Sequence, residues 1–400
     1  MEVLLRVFDY RSPTNDPYES FVLHRPLFEQ HGSTLSTRRT RMRYFHYQTF
    51  SISKPWGVKR FFFFGGSTTF GFSLKSPKHQ SYCYVLAHEL ERDWQKKIEV
   101  VNCGGIQYAS YRLVGLVEEC LEFSPDLMVV MCGHNEFLEP RHYADLINSG
   151  IVMRLWRGLR LAHLLNEASE RMLSGRYAGV IDAQQKEKEM VLAADYVDER
   201  YIVRDDNEYQ RTLEHYSRNL NRIVDLCRAH HTPLVLCTSA SNLRDWEPFI
   251  TEPGVGVSRK GLERLLDEVS ELFDDQRYED ALAIAKTKVL SRSPRAAAFH
   301  YVSAKCLDAL GRKVEAKQSY IRARNTDGFP HRTLTSFNEC VRRIAAERDI
   351  RLLDVEALFM ANSLDGIPGN NLFLDQCHPN AEGHQLIASE LKAIVLKMGL

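Results

Sequence analysis

The sequence predicts an α/β protein built on a parallel sheet, and three observations lead there. Short apolar runs rich in β-branched and aromatic residues recur at 60–64, 98–101, 127–131, 234–236 and 350–355. Segments of helical periodicity separate them, which is the alternation that βαβ units produce. The runs are continuously apolar, as in Phe61-Phe62-Phe63-Phe64 and Val129-Val130-Met131, and strands covered on both faces require this. Ligands of such sheets bind beyond the C-terminal ends of the strands, so the residues after each run become the candidates for function.

Composition narrows the possibilities. With 400 residues, 44% hydrophobic and 26% charged, the chain is neither disordered nor fibrous and is long enough for one large core or two smaller ones. Lys plus Arg and Asp plus Glu both total 52, so net charge provides no general attraction to nucleic acid or to an anionic membrane. The nine cysteines include no C-x-x-C pair, and Cys103 and Cys132 fall inside apolar runs. They read as small buried hydrophobes in a reducing compartment rather than as zinc or redox ligands. No stretch reaches the roughly 18 consecutive apolar residues of a membrane span, and Met1 to Arg6 are too short and too charged for a signal peptide. As written, the chain is expected to be cytoplasmic; a longer N-terminus would make it membrane-anchored or periplasmic.

Taken in order, residues 1–57 form an extension expected to pack on the core. Arg38, Arg39, Arg41 and Arg43 crowd one part of it and read as a solvated face with local ion pairs. The core's first part spans 58–255. Its first strand leads into Gly65-Gly66-Ser67-Thr68-Thr69-Phe70-Gly71, where glycines permit a sharp turn that lifts a serine above the sheet. No Gly-Lys-Ser/Thr follows, so this is not a Walker phosphate loop. The third strand leads into Gly133-His134-Asn135-Glu136. A charged tract at about 141–207, without an evident strand, reads as a helical insertion.

Residues 256–328 carry only helical periodicity. Arg277-Tyr278-Glu279-Asp280-Ala281 aligns with Arg312-Lys313-Val314-Glu315-Ala316, with the alanines 35 positions apart. That is close to the tetratricopeptide period of roughly 34 residues, although an ordinary antiparallel helix pair accounts for it equally well. The core resumes over 329–400 and ends in Asp375-Gln376-Cys377-His378-Pro379-Asn380-Ala381-Glu382-Gly383-His384. An aspartate three residues before a histidine can orient the imidazole by accepting from Nδ1–H; it can equally serve as a helix cap beside a packed ring.

Strand-end serine, strand-end asparagine and C-terminal Asp-x-x-His occur in the chain order and strand positions of the SGNH (GDSL-like) hydrolase superfamily, which this sequence resembles. Its first block resembles Gly65-Gly66-Ser67, with Gly66 in place of the more usual aspartate. Its third resembles Gly133-His134-Asn135-Glu136, with glutamate where aspartate is common. Its fifth resembles Asp375-x-x-His378-Pro379-Asn380-x-x-Gly383-His384 without departure. The glycine of the second block falls on Gln107. More narrowly, Arg25-Pro26-Leu27-Phe28-Glu29, Gly104-Gly105-Ile106-Gln107-Tyr108 and Ser241-Asn242-Leu243-Arg244-Asp245 resemble a bacterial branch that carries tetratricopeptide-like hairpins, whose members commonly begin with a membrane helix.

The resemblance implies a flavodoxin-like, three-layer α/β/α fold with a five-stranded parallel sheet and an inserted all-helical, tetratricopeptide-like segment. It implies a serine ester hydrolase acting on a small-molecule or saccharide ester. Ser67 would be the nucleophile, His378 the general base and Asp375 its orienting carboxylate. The oxyanion hole would take the Ser67 N–H, a backbone N–H of Gly105 or Gln107, and the Asn135 amide, which could instead cap the helix that follows. The scheme needs no cofactor and no metal. Two alternatives share the sequence: an O-acyltransferase using the same triad, and a silent scaffold whose hairpins bind a protein partner.

Overall fold

The computed structural model describes residues 26–138, 206–254 and 257–400. The insertion expected at 141–207 therefore lies, but for its last two residues, outside the described residues.

Five parallel strands make the central sheet: β4 (Lys59–Gly65), β5 (Ile98–Gly104), β6 (Leu127–Met131), β7 (Leu234–Cys237) and β8 (Arg351–Leu353). Their spatial order is β5-β4-β6-β7-β8. Counted along these five strands, this is the 2-1-3-4-5 order of flavodoxin-like sheets. Ahead of it, β1 (Phe28–His31), β2 (Thr34–Thr37) and β3 (Thr49–Ser51) form a small antiparallel sheet. These three strands escape sequence reading because each has only three or four residues and contributes a single buried apolar side chain, Phe28, Leu35 and Phe50 in turn.

Pleating explains the phenylalanine run. Successive residues of a strand point to opposite faces, so Phe62 and Phe64 enter one core and Phe61 and Phe63 the other. The first core is covered by α3 (Ser110–Leu121), α4 (Asp206–Ala229) and α9 (Thr335–Glu347), and the second by α2 (Tyr82–Trp94), α10 (Val355–Ala361) and α11 (Ala381–Met398). The spacing of four residues between Ile387, Leu391 and Val395 sets one stripe of α11 on the sheet. The result is three layers. A four-residue helix, α1 (Ser67–Phe70), leaves the end of β4.

The fifth strand is shorter than the apolar run at 350–355 suggested. Asp354 accepts from the Ala357 N–H at 3.1 Å and caps α10, so Val355 already belongs to a helix.

Between β7 and α9 lie α5 (Arg259–Asp274), α6 (Tyr278–Ile284, continuing as a π-helical turn to Leu290), α7 (Ala297–Ala309) and α8 (Lys313–Asn325). The aligned segments repeat in detail. Gln276 and Gly311 both adopt left-handed backbone, at φ 61° and 76°. Arg277 then pairs with Asp280 and Arg312 with Glu315, and Ala281 and Ala316 are fully buried. At the base of this module the Ser239 N–H donates to Asn338 Oδ1, and Asn338 Nδ2 donates to the Ser239 carbonyl, both at 2.9 Å. At its exit the buried Arg324 donates to Glu356 Oε1 at 2.9 Å and to Thr335 Oγ1 at 2.7 Å.

All nine cysteines are buried and unbridged. No helix among the described residues is long and apolar enough to cross a membrane.

Arg60 ties the antiparallel sheet to the central one. It is fully buried and donates to Glu99 at 2.5 Å and to the Ser51 and Phe123 carbonyls at 2.7 Å each. Arg60→Leu would leave these partly buried acceptors without their donor and remove a buried cation from between the two sheets. We expect a loss of about 2–4 kcal/mol, read as a lower midpoint in urea unfolding.

Candidate active site

The site begins where β4 ends. Gly65 makes the last ladder pairs of β4, with Gly104 and with Met131, and the chain then turns through Gly66 into α1. A Cβ on Gly66 would stand 2.7 Å from Asn135 Nδ2. An aspartate at this position would therefore push Asn135 aside. Ser67 opens α1, and its backbone N–H, free at a helix start, makes no hydrogen bond within the described residues.

The C-terminal loop brings the other two groups. Asp375 Oδ1 accepts from the Cys377 and His378 N–H groups at 2.9 and 2.8 Å, and Oδ2 accepts from His378 Nδ1–H at 2.6 Å. One carboxylate thus builds the turn and orients the ring. His378 Nε2 faces Ser67 Oγ at 2.7 Å. The loop is held from outside by Asn242, whose N–H donates to the Gln376 carbonyl at 3.0 Å and whose Nδ2 donates to the Asp375 carbonyl at 3.2 Å. The Asn380 side chain accepts from the Gly383 N–H at 3.0 Å and starts α11.

Electrostatics follow from this packing. Burial opposes the charged form of His378, but the hydrogen bond to the Asp375 carboxylate and that group's charge favour it, and the pKa is raised. Burial also pushes the Cys377 thiol up, leaving it uncharged at neutral pH, so Asp375 is the group that holds the imidazolium. Burial works against the Asp375 carboxylate too; bonds from His378 and the backbone prevail and lower its pKa.

The oxyanion candidates separate. The Gly105 N–H donates to the Gly65 carbonyl at 3.0 Å, extending the β4–β5 ladder, and this removes it as a donor. The Gln107 N–H makes no hydrogen bond within the described residues, and Gln107 stands at φ 63°, the left-handed region that favours the glycine usual there. Asn135 Nδ2 donates one hydrogen to the Tyr108 carbonyl at 2.9 Å and lies beside Gly66 with the other. Glu136 serves the fold: its carboxylate accepts from the Ser110 N–H and hydroxyl at 2.8 and 2.9 Å, at the start of α3.

Asp375, Cys377 and His378 could offer one oxygen, one sulfur and one nitrogen within 4.8 Å of each other. Two of these atoms already share the 2.6 Å hydrogen bond, so the cluster is the orienting turn itself. An open groove along the edge strand, lined by Leu352, Ala357 and Ile394 among others, shares no residue with this site.

Sheet order, a serine after the first parallel strand, an asparagine after the third and an Asp-x-x-His loop after the fifth now stand together. The fold is the flavodoxin-like, three-layer α/β/α fold that the resemblance to SGNH hydrolases implies. No family model matches the chain, and no curated protein does. Among solved structures it is similar to a member of the lipolytic protein G-D-S-L family from Veillonella parvula, at 12% identity and TM-score 0.36, covering 86% of this chain and 100% of that one. A GDSL-like lipase from Bacteroides thetaiotaomicron matches at 12% identity and TM-score 0.35, over 85% and 89%. A two-domain esterase active on acetylated mannans matches at 12% and 0.36, over 85% of this chain and 49% of that one.

Sequence reading of the SGNH blocks missed the partners that hold them: Thr333 against His134, and Arg332, whose Nη1 donates to the Asn242 and Trp246 carbonyls at 3.0 and 2.8 Å. Neither residue carries a motif or a periodicity.

The raised pKa of His378 means that folding favours its imidazolium. Its contribution to stability is complete below the ordinary value of 6.5 and is lost as pH rises through the higher folded value. NMR titration should place His378 above 6.5, and Asp375→Asn should move it down.

Proposed function

We propose that the chain is a serine ester hydrolase with Ser67 as nucleophile, His378 as general base and Asp375 as the carboxylate that orients it. The continuous chain from Ser67 Oγ through His378 to Asp375, at 2.7 and 2.6 Å, carries this reading.

The chemistry follows from the positions. His378 Nε2 takes the hydroxyl proton as Ser67 Oγ attacks the ester carbonyl, and the imidazolium returns that proton to the leaving alkoxide as the acyl-enzyme forms. Water repeats the cycle, with His378 accepting its proton and Ser67 leaving. Asp375 fixes the tautomer in which Nε2 is the acceptor. The Ser67 N–H, the Gln107 N–H and the second Asn135 amide hydrogen are the proposed donors to the tetrahedral oxyanion. Gly105 supports the site through the ladder and through the close seat of the Tyr108 ring, which a Cβ on Gly105 would meet at 2.5 Å. O-acyl groups on saccharides are the proposed substrate class, and the esterase active on acetylated mannans is consistent with it.

A fluorophosphonate probe, which reacts with activated serines, should label the wild type but neither Ser67→Ala nor His378→Ala, with circular dichroism showing that both variants fold. Absence of labelling on folded wild type would overturn the proposal. Asn135→Ala should lower kcat by about 10²- to 10³-fold. Because the base must be neutral and its pKa is raised, kcat/KM should fall as pH drops, with the midpoint above 6.5. Asp375→Asn should shift that limb to lower pH while reducing the plateau by about 10⁴-fold.

A further inference from the structure

His134 sits between Gly133 and Asn135 at the end of β6, and the mechanism leaves it unused. Its backbone is set by Gly133 at φ 140°, where a Cβ would meet the Thr333 side chain at 2.9 Å. Its ring is set by Thr333, whose backbone N–H lies 3.0 Å from Nδ1 and whose Oγ1 lies at the same distance. A backbone N–H only donates, so Nδ1 must present its lone pair, and in the neutral ring the proton resides on Nε2. Protonating Nδ1 would set one N–H against another. Burial lowers the pKa of this ring to about 3, helped by His378, Arg324 and Arg332 and opposed by Asp375. The ring is therefore a neutral donor of fixed tautomer. Among the described residues Nε2 makes no hydrogen bond, and the ring stands near enough to His378 and Asp375 for both to act on its charge.

We propose that His134 Nε2–H donates to an oxygen of the alcohol part of the substrate and so selects oxygen-rich alcohols, the saccharide class, over plain alkyl esters. This rests on the hydrolase reading above. The acyl carbonyl oxygen already has three proposed donors, and a hydrocarbon acyl chain offers no acceptor, so the alcohol part is where a further fixed donor has a use. A neutral donor also suits hydroxyl and ether oxygens, because it holds its proton across the pH range in which His378 changes state. Thr333 acts through His134 and is a positioning residue.

Two readouts on the full chain test this. Long-range ¹H–¹⁵N NMR of the imidazoles should show His134 as the Nε2–H tautomer, without titration around neutral pH. For turnover, an O-acetylated methyl glycoside is compared with ethyl acetate. His134→Ala should lose about 3- to 10-fold more kcat/KM on the glycoside than on ethyl acetate, the worth of one neutral hydrogen bond, and His134→Gln, which restores an N–H donor, should recover part of the difference. Both variants should still label with fluorophosphonate. An Nδ1–H tautomer, titration near the ordinary histidine value, or equal losses on the two esters with labelling intact would overturn the role of His134 alone. Absence of labelling on the wild type would overturn the hydrolase reading and this role with it.

Discussion

Everything at the site depends on β4 having a strand on each side. A strand paired on both edges and covered on both faces is held in register by what flanks the phenylalanine run, because one step of slippage would carry the buried Arg60 away from Glu99 and from the Ser51 and Phe123 carbonyls. Ser67 stands two residues beyond the last ladder pair, so its height above the sheet is inherited from that register. The same ladder runs on to Gly105 and thereby decides which backbone N–H groups of the second block remain free. Packing of four phenylalanines and placement of one hydroxyl are consequences of a single constraint.

The second requirement is local. Asp375 uses one oxygen on two backbone donors and the other on the imidazole, so the turn and the ring orientation stand or fall together. This accounts for the spacing of three residues: a shorter or longer interval could not put the Cys377 and His378 N–H groups and Nδ1 around one carboxylate. Thr68 adds a link from α1, donating to the Cys377 carbonyl at 3.4 Å.

The parts legible in the sequence are those in which neighbouring residues carry the information. Five apolar runs marked the five central strands, because burial on both faces leaves a continuous signal in the chain. Asp375 and His378 were legible as a pair because they act within one turn. What escaped depends on distant partners or on backbone geometry. The Gly105 N–H is spent on Gly65, forty residues earlier in the chain. Gln107 takes the left-handed conformation at φ 63°, which its own residue type gives no hint of and which only its place opposite a family glycine suggests. Thr333 reaches His134 across 199 positions, and no local pattern records such a contact. The short strands β1 to β3 are held by Arg60 and by the core beneath them rather than by their own composition.

The paired hydrogen bonds between the Ser239 backbone and the Asn338 side chain join residues 99 positions apart and close the helical module at its base. Loop-closure entropy grows only with the logarithm of loop length, so each doubling of the enclosed chain costs about 0.6 kcal/mol. A clasp of this kind separates the length of what it encloses from the geometry of the sheet below. Helical pairs could be gained, lost or exchanged above it over evolutionary time while strand order stayed fixed, and the contact of Thr333 with His134 would be the point where such a change first reached the site.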